Sequence, residues 1–195
     1  DENIELMYKS APLHDIGKVG IPDRILLKPG KLTAAEFEIM KTHTTLGRDA
    51  IAKAEALFGI AASFLRFAKE IAFSNQEKWD GSGYPLGLSG ERIPLSARLM
   101  AVADVYDALI SQRVYKPALP HGDAVAILRD GRGSHFDPDI LDAFLALQGA
   151  VQIPGQTLWH HLRLLAAGGW VEQDGRTWKL AEAEHPLAKG LLKLL

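Results

Sequence analysis

The sequence predicts an all-α domain with a small C-terminal α+β extension. Three observations carry that expectation. Apolar residues recur at three- and four-residue spacing up to about residue 147, the rhythm of helices with one buried face. No run before residue 150 alternates in the manner of a strand. After Leu147 the character changes, with Gly149, Pro154 and Gly155 forming a linker-like stretch. The expected domains are therefore 1–147 and 148–195.

In chain order, Ile4, Met7, Tyr8, Ala11 and Leu13 make one helical face running into His14. Ile21-Pro22-Asp23 breaks that pattern, and Lys28-Pro29-Gly30 marks a turn. Thr33 with Glu36 three residues later is a capping-box pair, and the helix it opens is expected to carry Phe37, Met40 and His43. A further helix is expected over Ile60 to Phe73. Trp79 to Pro85, followed by Gly87 and Gly90, is too rich in glycine for a helix and reads as a loop. Pro94 to Ser111 reads as a long helix with Leu95, Leu99, Val102, Val105, Tyr106 and Leu109 on its apolar side. Gly122 to Arg129 and Pro138 to Leu147 are the last helices of the main domain. In the extension, Leu158 to Ala167 is expected to be helical. Trp170 to Leu180 is expected to form a hairpin turning at Asp174-Gly175. A helix followed by such a hairpin resembles part of a winged-helix unit; the other reading is a packing appendage anchored by Trp159, Trp170 and Trp178.

Composition narrows the function. The 195 residues are 47% hydrophobic and 24% charged, as in globular proteins with a real core. A formal net charge of −2 provides no global field for nucleic acid or an anionic membrane, and no recognition helix is evident. No stretch approaches the roughly 18–20 apolar residues of a membrane span. The absence of cysteine removes disulfides, thiolate ligands and a cysteine nucleophile, and fits a reducing compartment, so a cytoplasmic location is expected. Any metal would be held by imidazole, carboxylate, amide and water, a set suited to iron, manganese or zinc. The acidic start Asp1-Glu2-Asn3-Ile4-Glu5 is unlike a signal peptide. Without an initiator Met, the chain reads as a fragment with unseen upstream regions.

Adjacent His14 and Asp15 combine an imidazole with a carboxylate able to bridge two ions, and two ions about 3.5–4 Å apart can activate water against a phosphodiester. The segment Leu13-His14-Asp15-Ile16-Gly17-Lys18-Val19-Gly20-Ile21-Pro22-Asp23 resembles the HD superfamily of phosphohydrolases and its HD-GYP branch in particular. The resemblance continues through Leu26 to Thr33, His43 with Gly47, and Trp79-Asp80-Gly81-Ser82-Gly83-Tyr84-Pro85. It extends through Ile93 to Arg98, Ala103 to Leu109, Ser111 to Lys116 and Gly133 to Pro138, covering about three quarters of the chain.

The resemblance implies a helical bundle that hydrolyses cyclic di-GMP in bacterial signalling with divalent metal ions, iron or manganese. It implies metal ligands His14, Asp15, His43 and Asp104. It assigns Lys18 to the scissile phosphate and the departing ribose oxygen, with metal-activated hydroxide as the attacking group. Arg113 and Lys116 match residues that grip substrate phosphate. Tyr84 either lines the pocket or forms a partner surface, with a diguanylate cyclase domain as one implied partner. The pattern breaks at Asn75 and Gln76, which stand where the family has consecutive histidines, and neutral amides are weaker ligands for transition metals than imidazole. Glu2 and Glu5 do not reproduce the family's upstream Glu and His. His121 and His135, both expected in loops, and His160-His161 do not match replacement positions. The expectation is a phosphodiesterase with a degenerate metal site. The alternative is a weak or inactive module that binds cyclic di-GMP or a signalling partner.

Overall fold

The structure, a computed structural model, describes residues 2–58, 63–111, 117–150, 171–174 and 177–180. Its contacts divide the chain into two units, Glu2–Met100 and Ala101 onward, with the division falling inside one long helix.

The first unit begins with α1, Glu2–Ser10, which packs on α5, Ser63–Ser74. The Ser10 hydroxyl lies 2.7 Å from the carbonyls of both Leu6 and Phe64, tying the end of α1 to the start of α5. The helical face expected to run into His14 stops at Ser10. Pro12 sits in the first positions of a 3-10 turn over Ala11–Leu13, where its missing N–H costs nothing. A second 3-10 stretch spans Ile16–Gly20, and Asp15 lies between the two at φ −107° and ψ 9°. A single-turn helix α2, Asp23–Leu26, follows Pro22. The chain then reverses through Gly30, whose φ of 107° suits a residue without a Cβ.

Helix α3, Ala34–Lys41, opens with the expected capping box: Glu36 N donates to Thr33 Oγ1 at 3.3 Å, and Thr33 N donates to Glu36 Oε2 at 2.7 Å. It ends earlier than expected. Thr42 caps it, with its hydroxyl donating to the Ile39 carbonyl at 2.7 Å, so His43 is not on the Thr33 helix. His43 is the first residue of α4, His43–Phe58, a helix the apolar pattern did not reveal. Helices α4 and α5 pack antiparallel. Lys69 meets Glu55 at 2.5 Å, and the Arg48 guanidinium lies 4.2 Å from the Phe73 ring centre nearer the other end. Between them Ile51, Ala68 and Ala72 form a buried cluster, with Leu13 and Leu65 packed against it.

Helix α6, Leu95–Ile110, matches the expected long helix. In the first unit its Ser96 hydroxyl donates to Glu70 at 2.7 Å. In the second unit its buried Val102, Tyr106 and Leu109 belong to a core that includes Ala124 and Leu128 of α7, His121–Asp130. Ile140, Leu141 and Phe144 of α8, Pro138–Ala150, complete that core. Tyr106 meets Phe144 edge-on at 5.2 Å between ring centres. His121, expected in a loop, is the first residue of α7, and its Nδ1 lies 2.9 Å from the Tyr106 hydroxyl. Buried Asp137 caps α8, accepting from Asp139 N at 2.9 Å. No strand other than the C-terminal pair is found among the described residues. The expected hairpin is present as antiparallel β1, Val171–Asp174, and β2, Thr177–Leu180. Asp174 pairs with Thr177, leaving two positions for the turn. The expected Leu158–Ala167 helix lies outside the described residues.

Candidate metal centre

The site is built on a contact between two backbones. A Cβ on Gly17 would stand 1.9 Å from the His43 carbonyl oxygen and 2.4 Å from Gly47 N. Only glycine lets the segment after Asp15 lie against the first turn of α4. That approach puts Asp15 beside His43, and the 3-10 turn before it puts His14 on the other side. Asp15 Oδ2 lies 3.2 Å from His14 Nε2 and 2.5 Å from Lys18 Nζ, while Asp15 Oδ1 lies 3.8 Å from His43 Nε2.

Both imidazoles are oriented by backbone. His14 Nδ1 is 2.9 Å from the Ala11 carbonyl, and His43 Nδ1 is 2.6 Å from the Met40 carbonyl. A carbonyl only accepts, so each Nδ1 carries a proton, and Nε2 is the ring nitrogen turned toward Asp15. Burial alone would raise the Asp15 carboxyl. The hydrogen bonds from His14 and Lys18 and their charges outweigh it and hold the group well below the usual carboxylate range. Asp15 is therefore a carboxylate that accepts from Lys18 and from the Nε2–H of a protonated His14, a proton that an ion bound at that nitrogen would displace.

His43 Nε2 and Asp15 Oδ1 are both buried with no hydrogen-bond partner. Their 3.8 Å separation is too long for a charge-assisted hydrogen bond, which runs about 2.7–2.9 Å. Two donors each about 2.0–2.2 Å from one ion can stand up to roughly 4.3 Å apart. The separation therefore fits a shared cation better than a direct bond. An unsatisfied buried polar group costs about 1–3 kcal/mol, and a cation between the two would satisfy both. The residues present fit a divalent metal. Among the described residues no group of three or more His, Asp or Glu side chains is placed to hold an ion, so the fit rests on the Asp15–His43 pair.

Those two amides behave differently. The antiparallel packing of α4 and α5 brings the end of α5 toward the α4 start: a Cβ on Gly47 would lie 3.4 Å from the Ala72 Cβ. Just beyond, Asn75 is 4% exposed, and neither atom of its amide has a hydrogen-bond partner. Gln76 is claimed by the following loop. Its Oε1 accepts from the Tyr84 hydroxyl at 3.2 Å, and its carbonyl accepts from Tyr84 N at 3.1 Å. The Tyr84 ring meets His43 edge-on at 6.3 Å and Phe37 edge-on at 5.9 Å.

The loop is held by Glu77, a residue not singled out from the sequence. It is 2% exposed, and its carboxylate accepts from Leu86 N at 2.7 Å and Leu88 N at 3.0 Å. Gly83 folds tightly beneath it, since a Cβ there would stand 2.3 Å from Lys78 N. A carboxylate directly before a glycine-rich loop, where many N–H groups lack strand or helix partners, was the available signal.

The structure thus brings together His14, Asp15, Lys18 and His43, with Tyr84 against His43. Asp104 lies partly buried on the portion of α6 that belongs to the second unit. Arg113 and Lys116 lie outside the described residues. No described helix is long and apolar enough to cross a membrane.

Comparison with known proteins identifies the family. A family model described as an HD domain matches residues 1–140. A cyclic di-GMP phosphodiesterase of Vibrio cholerae is 64% identical over 145 residues, covering 74% of this chain and 29% of that protein. A cyclic di-GMP phosphodiesterase of Thermotoga maritima is 48% identical over 139 residues, 71% of this chain and 36% of that protein. A 3'3'-cGAMP-specific phosphodiesterase of Vibrio cholerae is 41% identical over 145 residues, 74% of this chain and 27% of that protein. The chain spans about a third of the length of these relatives. With the His14-Asp15 pair, its glycine-mediated contact to His43 and the Glu77-held Gly83-Tyr84-Pro85 loop, the chain belongs to the HD domain family, in its HD-GYP branch.

Proposed function

We propose that this chain is a metal-dependent phosphodiesterase domain that hydrolyses cyclic di-GMP in bacterial signalling. The observation that carries the reading is the orphaned pair Asp15 Oδ1 and His43 Nε2, aimed at each other across 3.8 Å beside the Lys18 ammonium. The names of the relatives supply the substrate.

Asp15, His14 and His43 are assigned to hold the metal. When bound, a divalent ion supplies a water of lowered pKa and neutralises charge on the phosphoryl oxygens. The ionised Asp15 carboxylate needs no proton loss before it can ligate. The backbone carbonyls of Ala11 and Met40 keep the two Nε2 atoms pointed inward. Lys18 is half-exposed, so its ammonium can meet both Asp15 and an incoming phosphate. It is assigned to stabilise the phosphoryl charge and to deliver a proton to the departing ribose oxygen. Arg113 and Lys116 are assigned to phosphate binding. An amide oxygen from Asn75 in place of an imidazole nitrogen would move the donor set toward manganese and away from zinc. Tyr84 already uses the Gln76 oxygen, and both amides are weaker donors than imidazole, which supports a reduced rate. The partner reading rests on the same loop, which the family resemblance gives as a contact for a signalling domain.

The test is conversion of cyclic di-GMP by the full chain in manganese or ferrous iron. Turnover that Asp15→Ala abolishes supports the reading. Tight binding without turnover moves it to a receptor, and turnover unaffected by Asp15→Ala refutes the assignment of the site.

A further inference from the structure

Beside the candidate centre, three rings form a ladder from the protein surface to the buried imidazole. Phe37, on α3 and 44% exposed, meets Tyr84 edge-on at 5.9 Å, and Tyr84 meets His43 edge-on at 6.3 Å. One helical turn beyond Phe37, Lys41 places its Nζ 5.7 Å from the Phe37 ring centre and 5.9 Å from that of Tyr84. Lys41 also pairs with Glu38 at 2.7 Å, a bond that uses one of the three donors of its ammonium.

A single exposed apolar residue is ordinary. Phe37 differs in being joined through Tyr84 to the imidazole assigned to the metal and in carrying the Lys41 ammonium over its ring. Exposed aromatic faces bind nucleobases by stacking, at about 1–3 kcal/mol per base. A lysine beside the stacked base reads its edge. Guanine offers the O6 and N7 acceptors, whereas adenine places an amino donor where O6 would be. An ammonium only donates, so it favours guanine.

We propose that Phe37 and Lys41, at the rim of Tyr84, form a nucleobase subsite that selects guanine in the cyclic dinucleotide. The proposal rests on the phosphodiesterase reading and extends it from the phosphate to the base. Relatives carry names for cyclic di-GMP and for 3'3'-cGAMP, dinucleotides that differ in one base.

The test is calorimetric titration of the manganese-loaded full chain with hydrolysis-resistant phosphorothioate analogues of cyclic di-GMP and cyclic di-AMP. The wild-type chain is expected to bind the guanine analogue more tightly. Phe37→Ala is expected to weaken both by about tenfold or more, and Phe37→Trp, which restores a stacking face, to recover most of the loss. Lys41→Gln, whose amide both donates and accepts, is expected to weaken the guanine analogue and shrink the difference between the two. Wild-type binding that all three variants leave unchanged overturns the subsite while the phosphodiesterase reading stands, even if those variants lose a protein partner. A wild-type chain that binds neither analogue overturns both.

Discussion

Glu77→Gln tests how the loop that carries Tyr84 is held. The Glu77 carboxylate is buried and accepts from two backbone donors, Leu86 N at 2.7 Å and Leu88 N at 3.0 Å. Glutamine keeps the shape but offers one acceptor oxygen. Its NH2 group faces the second donor, which is left unsatisfied at about 1–3 kcal/mol, and the surviving bond falls from a charged to a neutral one, losing about another 1 kcal/mol. Removing the charge relieves part of its desolvation cost. The net expectation is about 2 kcal/mol, a large share of the roughly 5–15 kcal/mol that holds a domain together. Amide hydrogen exchange at Leu86 and Leu88 is the discriminating assay, and urea denaturation gives the global cost. Faster exchange at those two amides, by about thirtyfold, is expected with little change in the α4–α5 core. Unchanged exchange at Leu86 and Leu88 in a folded variant would refute the claim that Glu77 pins the loop.

Gly17→Ala is expected to destabilise the first unit by about 1–3 kcal/mol or more, because the new methyl would overlap the His43 carbonyl and Gly47 N. Metal affinity is expected to fall with it, and a urea midpoint and metal titration both equal to wild type would contradict the contact. Asn75→His restores an imidazole at a position whose amide has no partner. Competition titrations are expected to show zinc gaining on manganese. Glu36 is held down from 4.5 to about 2, first by the Lys28 hydrogen bond and then by those from Thr33. A depressed carboxylate stabilises the fold above its unfolded value, and that contribution is lost as pH falls from about 4.5 toward 2. Glu36→Gln is therefore expected to flatten the acid limb of stability measured by urea midpoint in that window, modestly because the group faces solvent. Parallel curves for the two proteins would sink the idea.

Local signals were the most legible in the sequence. The Thr33–Glu36 capping box and the hairpin around Asp174 depend on neighbours a few residues apart, and both are present. The stop at Thr42 was not legible, because a threonine hydroxyl bonded to Ile39 ends α3 where glycine or proline would ordinarily announce it. Helix α4 was missed because its buried positions are His43, Thr44, Gly47 and Ile51, of which only Ile51 is a large apolar residue, leaving little apolar rhythm. The motifs did pick out His14, Asp15, Lys18 and His43, which the structure brings together. What joins them was not legible, since the fit of Gly17 against Gly47 is a contact between two missing side chains. Nor could spacing separate Asn75 from Gln76. Their difference comes from the Tyr84 hydroxyl, which reaches back eight residues to claim only one of them.

The central claim is that Asp15 Oδ1 and His43 Nε2 are unpartnered because they await a shared metal. A manganese titration followed by electron paramagnetic resonance, comparing the wild-type chain with His43→Ala, tests it directly. The account predicts saturable binding by the wild-type chain and at least a tenfold loss in the variant, no less than the loss of an outer-shell partner costs. Equal binding by the two proteins would contradict it.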